Sequence, residues 1–185
     1  MGVMPRPSQI ILLVEDDRHQ QFLFRYLRRV GLGIHAIRIV KSPSGAGSAE
    51  QWVRERFPIE VEACRTRQAQ TKLIILIDAD KYTVQQRIQQ LDQTLQQAGM
   101  SPIDNGAEDI ARIVPKRNIE TWILNLNDVV VDEDADYKGP RGDWADLIRA
   151  AIGKLYAWTR PNSAVPMSCV ASLQTGIREL QKLQL

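Results

Sequence analysis

The feature that most constrains this chain is a pair of apolar runs, each ending abruptly in carboxylates. Gln9–Val14 reads QIILLV and stops at Glu15, Asp16 and Asp17, and Leu73–Ile77 reads LIILI and stops at Asp78-Ala79-Asp80. A short run without polar alternation is buried on both faces, as in a strand of a parallel sheet covered by helices. Ile34–Val40 and Ile110–Val114 are two further strand candidates. Between the strands, apolar residues recur at helical spacing. Phe22, Leu23, Tyr26, Leu27 and Val30 mark a helix over about 20–30, closed by Gly31-Leu32-Gly33. Another begins near Ala49 and bends or breaks near Pro58. Val84, Ile88, Leu91 and Leu95 stripe a third over 83–98, whose other face is rich in glutamine. Further helices are expected over 118–126, 146–158 and 172–183, with a loop over 128–142. This alternation predicts an α/β fold, a mostly parallel sheet with helices on both faces and a C-terminal helical extension. Residues 1–126 form the expected core, and 127–185 a loop and helices packed on the same domain.

Charge narrows the functional classes. The 24 basic and 22 acidic residues leave a net charge of only +2, so any surface for nucleic acid has to be local. Arg25, Arg28 and Arg29, on one helix, are a candidate patch; a solvated helix face explains them as well. Cys64 and Cys169 belong to no CxxC or Cys/His array, which argues against a disulfide framework or zinc site and for a reducing, cytoplasmic setting. The apolar run at the N-terminus is too short for a signal peptide, and no stretch reaches the roughly 18 apolar residues of a membrane span. Ser42–Ser48 (SPSGAGS) resembles a phosphate loop but lacks the lysine of Walker A, and reads as a flexible turn. The four tryptophans read as core or interface anchors.

In an open parallel sheet, ligands bind beyond the carboxyl ends of the strands, where these acids gather. A D-x-D at a strand end points two carboxylates to the same side, so Asp78 and Asp80 are able to share one hard cation, Mg²⁺ or Mn²⁺, with Glu15. Any one of these acids is also explained as solvated or as capping the next helix; two strands ending this way make the joint coincidence harder to sustain.

A Glu ending the first strand and a D-x-D ending a later one resemble the TOPRIM-like domain family, and Val114–Trp122 (VPKRNIETW) resembles the small RloB and OLD-nuclease-like TOPRIM proteins. The resemblance covers about residues 9–126; the family usually places Gly after its Glu, where this chain has Asp16. It implies a TOPRIM/Rossmann-like fold and a metal-dependent nuclease acting on DNA or RNA in a bacterial (phage) defence or repair system. It implies metal ligation by Glu15, Asp78, Asp80 and Glu120, with Glu15 also as general base, and phosphate contact by Lys116 or Arg117. Nucleic acid is then the partner, with an ATPase encoded by a neighbouring gene and room for a homodimer. His19 stands where the family often has another acid, and its charged neighbours place it on the surface. One alternative is a non-catalytic binding or regulatory subunit of an ATPase complex. Another is a divergent receiver-type signalling domain, whose paired acids the segment after Gln9 shares. Against the receiver, Asp78 follows Glu15 at too great a distance and no Met-Pro turn comes after it.

Overall fold

The computed structural model describes residues 7–45, 47–67, 70–139 and 142–185. Of the N-terminal stretch read for a leader, residues 1–6 lie outside the described residues, as do position 46 of the Ser42–Ser48 turn and positions 140–141 of the long loop. Among the described residues four strands, β1 (Gln9–Val14), β2 (Ile37–Lys41), β3 (Thr71–Leu76) and β4 (Ile110–Ile113), form one all-parallel sheet in the order β2-β1-β3-β4. Six α-helices surround it: α1 (Asp17–Val30), α2 (Ala49–Thr66), α3 (Val84–Gln97), α4 (Ile119–Leu126), α5 (Trp144–Trp158) and α6 (Ala171–Lys182). The fold is thus Rossmann-like α/β, with C-terminal helices.

Strand alternation sorts the core into two layers. Ile10, Leu12 and Val14 turn to one face, where Phe22 and Leu27 of α1, Trp122 of α4, Ile148 of α5 and Ile177 of α6 cover them. Ile11 and Leu13 turn to the other, against Val53 and Phe57 of α2 and Leu91 and Leu95 of α3. The C-terminal helices therefore belong to the same core as β1. No helix among the described residues is long and apolar enough to cross a membrane.

Several element boundaries depart from the sequence reading; α5, for one, starts at Trp144 and not at Asp146. Ile34–Ala36 coils into a 3-10 turn, and β2 begins only at Ile37, where pairing with Ile10 starts. β3 begins at Thr71, because Gln9 and Ile10 pair with Thr71 and Lys72. α1 starts at Asp17, since the Asp16 carboxylate accepts from the His19 N–H at 2.9 Å and caps the helix. α2 runs through Pro58 as one helix, with Phe57 and Val61 buried against the sheet on either side of it.

Two contacts dock α6. Its Gly176 lies against the ring of Trp122, so closely that a Cβ there would fall 2.2 Å from a ring carbon; the Trp122 Nε1–H donates to Ser172 Oγ at 2.7 Å. Glu179 accepts from the backbone N–H of Arg112 at 2.8 Å, at the outer edge of β4.

Candidate metal centre

The winding of the sheet reverses between β1 and β3: from β1 the chain goes to β2 on one side, then crosses to β3 and β4 on the other. That reversal opens a crevice at the carboxyl ends of the two strands. Glu15 follows β1 and Asp78 follows β3, so the topology sets them on either side of it. They touch: the Asp78 N–H donates to Glu15 Oε1 at 2.6 Å. The Arg87 guanidinium, buried beneath, donates to the Asp78 carbonyl at 2.9 Å and fixes this backbone.

The third member of the cluster is His19, in the first turn of α1. It is fully buried, with Nε2 3.1 Å from Asp78 Oδ1. One ligand atom from each of Glu15, His19 and Asp78 lies within 4.8 Å of the others. The surface position expected for His19 is therefore corrected. Its spacing from Phe22, Leu23 and Tyr26 places it on the inward stripe of the helix, a signal the charged neighbours obscured.

The remaining candidates stand around this triad. Asp80 turns in the left-handed region at φ 52°, half exposed, and its N–H donates to the Arg117 carbonyl at 3.2 Å. Glu120 opens α4 and is buried; Oε1 accepts from Arg18, while Oε2 has no hydrogen-bond partner among the described residues. The Lys116 ammonium pairs with Asp134 at 2.8 Å, within the loop after α4. The lysine that reaches the carboxylates is Lys138, from the same loop, with Nζ 3.9 Å from Asp78 and 3.8 Å from Asp80. Nothing in the local sequence marks Lys138, because its partners lie far along the chain. The loop is tied down beside it by Asn118, whose side-chain amide donates to Asp136 at 2.9 Å.

Electrostatics follow from this crowding. Burial raises the Glu15 pKa to about 7; Asp78 and Asp80 push the same way, against His19 and the Asp78 N–H. Burial alone would lower the His19 pKa, but Asp78, Glu15 and Asp16 lift it to about 10. Burial also raises Asp80, with Asp78 adding to it and Lys138 opposing. Folded Glu15 thus keeps a proton, between about pH 4.5 and 7, that the unfolded chain has released. Metal-free stability should therefore fall as pH rises through that window, and continue to fall above 6.5 as His19 approaches its own folded pKa. Melting temperatures in chelator across this range should show the decline, and Glu15→Gln should flatten its acid-side part; a flat wild-type profile would refute the assignment.

The donor set fits a divalent cation. It offers two carboxylates and an imidazole, with His19 Nδ1 and Glu120 Oε2 buried and lacking partners among the described residues. Mg²⁺ favours all-oxygen ligands, whereas an imidazole among them favours Mn²⁺ and later first-row ions. No protein-family model, curated protein or solved structure matches this chain.

Proposed function

We propose that this protein is a metal-dependent phosphodiesterase cleaving nucleic acid in the manner of a TOPRIM-type nuclease, with Glu15, His19 and Asp78 holding the ion. The observation that carries the reading is the convergence of these three side chains within 4.8 Å at the β1/β3 crevice. When bound, the ion would neutralise charge on a phosphodiester and help make a water nucleophilic. The chain's own groups do the rest. Glu15, whose carboxylate follows β1 at the mouth of the crevice, is the group placed to take a proton from the attacking water. Asp80 and Glu120 supply further negative charge around the site. Lys138 balances it, and as a half-exposed ammonium it is free to exchange onto a phosphate oxygen. Lys116 would meet phosphate only by leaving Asp134. The wider expectation of an ATPase partner from a neighbouring gene, in defence or repair, is part of this proposal, and so is a homodimer.

A phosphoacceptor role for Asp78 is disfavoured, since it is 3% exposed with His19 on one oxygen and Lys138 near the other. The test is cleavage of labelled DNA and RNA in Mn²⁺, Mg²⁺ or chelator, with and without the ATPase. Cleavage should be stronger in Mn²⁺ than in Mg²⁺, absent in chelator, and lowered in Glu15→Gln by about 10²–10⁴-fold, the usual contribution of a general base. Metal-independent cleavage, or full activity in Glu15→Gln, would overturn the reading.

A further inference from the structure

A second feature lies along the flank of the sheet. α1 and α5 run side by side in the same sense, with Arg18 stacked 4.6 Å over the ring of Trp144 at one end and Arg29 5.4 Å over that of Tyr156 at the other. Between them opens a groove of about 700 Å³. Arg25, Arg28, Arg29 and Arg149 line it, Phe24 and Ile152 supply apolar surface, and no acidic side chain is among its lining residues. In a chain of net charge +2, this is a concentrated positive surface.

The arginines are available. Arg25 has no hydrogen bond or ion pair among the described residues. Arg28 donates to the Leu32 carbonyl at 2.6 Å and keeps its other donors. Arg149 pairs with Asp146 in an exposed contact of the kind that contributes little and exchanges readily. Arg160 also lies 4.2 Å from the Tyr156 ring, so two guanidiniums meet one aromatic ring at the far end.

Spacing and direction identify the occupant. Arg25 and Arg29 are one helical turn apart, about 5–6 Å between their Cβ atoms, and with Arg28 and Arg149 on the same groove they offer more guanidiniums than one anion needs, which suits a ligand with repeated anionic groups. From Gln20 to Arg29 the groove follows α1 for about 13 Å at 1.5 Å per residue. It begins two residues beyond Arg18, whose guanidinium holds Glu120 beside the carboxylate cluster. Guanidiniums over an apolar floor suit phosphates flanked by sugars and bases, and a cleft between two packed helices admits one strand rather than a duplex.

We infer that the α1–α5 groove binds single-stranded nucleic acid through its phosphate backbone and leads that strand towards the carboxylate centre. The second half of this inference rests on the nuclease reading; the first does not.

Anisotropy titrations in chelator separate them, using labelled single strands of DNA and of RNA and a duplex of the same sequence. The full chain should bind single strands more tightly than duplex, with affinity falling as salt rises. Arg25→Gln combined with Arg29→Gln should weaken binding at least tenfold, and reduce the salt slope by about 0.7 for each phosphate no longer neutralised. These are surface changes, so the melting temperature should hold, and Arg178→Gln, in an exposed arginine of α6 outside the groove, should bind as wild type. DNA and RNA arms of equal strength would indicate recognition of the shared backbone; a gap between them would assign the source, and either supports the groove. Unchanged binding in the double variant, tighter binding of duplex, or selective capture of polyglutamate in place of nucleic acid would overturn it. Binding that depends on the groove, without cleavage in any metal, would sustain the groove and sink the nuclease reading. Cleavage with a raised KM and unaltered kcat in the double variant would sustain both.

Discussion

Divalent metal should raise the melting temperature of the wild-type protein and leave Asp78→Asn unmoved. At a hundred times the dissociation constant, an ion bound only to the folded state stabilises by about 2.7 kcal/mol, readily visible in a thermal scan. Asp78 stands at the centre of the cluster: its N–H on Glu15, one oxygen 3.1 Å from His19, the other 3.9 Å from Lys138. Asparagine keeps the shape and removes the charge. The loss should exceed the 10–100-fold that follows removal of an outer-shell partner, because here a ligand itself is neutralised. Lys138→Met should act in the opposite sense. Its ammonium lies near the Asp78 and Asp80 carboxylates and competes with a cation for their charge, so its removal should tighten metal binding severalfold while leaving the fold intact. Weaker metal binding in Lys138→Met, or an undiminished shift in Asp78→Asn, would refute this description of the centre.

The second large effect concerns stability. Gly176→Ala should cost about 1–3 kcal/mol, the range for inserting a group into a packed core. The new Cβ would fall 2.2 and 2.8 Å from two Trp122 ring carbons, and that indole is fully buried and held by Ser172. At this chain length each kcal/mol corresponds to about 2–4 °C of melting temperature. Trp122→Phe takes away the part of the ring that collides, at its own cost in packing and in the Ser172 hydrogen bond. The double variant should therefore be more stable than the sum of the singles predicts, by about 0.5–3 kcal/mol. Strict additivity would mean that α6 shifts away instead of pressing on the ring.

The strand runs were legible because burial on both faces leaves no polar alternation to confuse them, and Glu15 and Asp78 were legible because charge ends those runs. Local periodicity did not expose the start of β2. Ile34–Ala36 is as apolar as a strand, and only the register of Ile10 with Ile37 decides where pairing begins. His19 was readable in principle from its helical spacing, but composition around it pointed outward. Asp16, where the resemblance led to an expectation of glycine, caps α1. Lys138 was not readable at all: a loop lysine gains meaning only when the chain returns over the sheet ends to Asp78 and Asp80. Lys116 meets Asp134 in an exposed ion pair, a partner from the loop after α4 that the local motif did not announce.

The bond between Glu179 and the backbone of Arg112 bears on self-association. β4 is an outer strand, and an outer strand offers unpaired N–H and C=O groups to any extended chain that comes near. Here a helix side chain takes one of those donors at 2.8 Å, and α6 lies along the margin. The helix that closes the hydrophobic core thus also acts as a stopper against edge-to-edge polymerisation. Losing it would expose the flank of the sheet as a template for aggregation even where the remaining strands stayed paired.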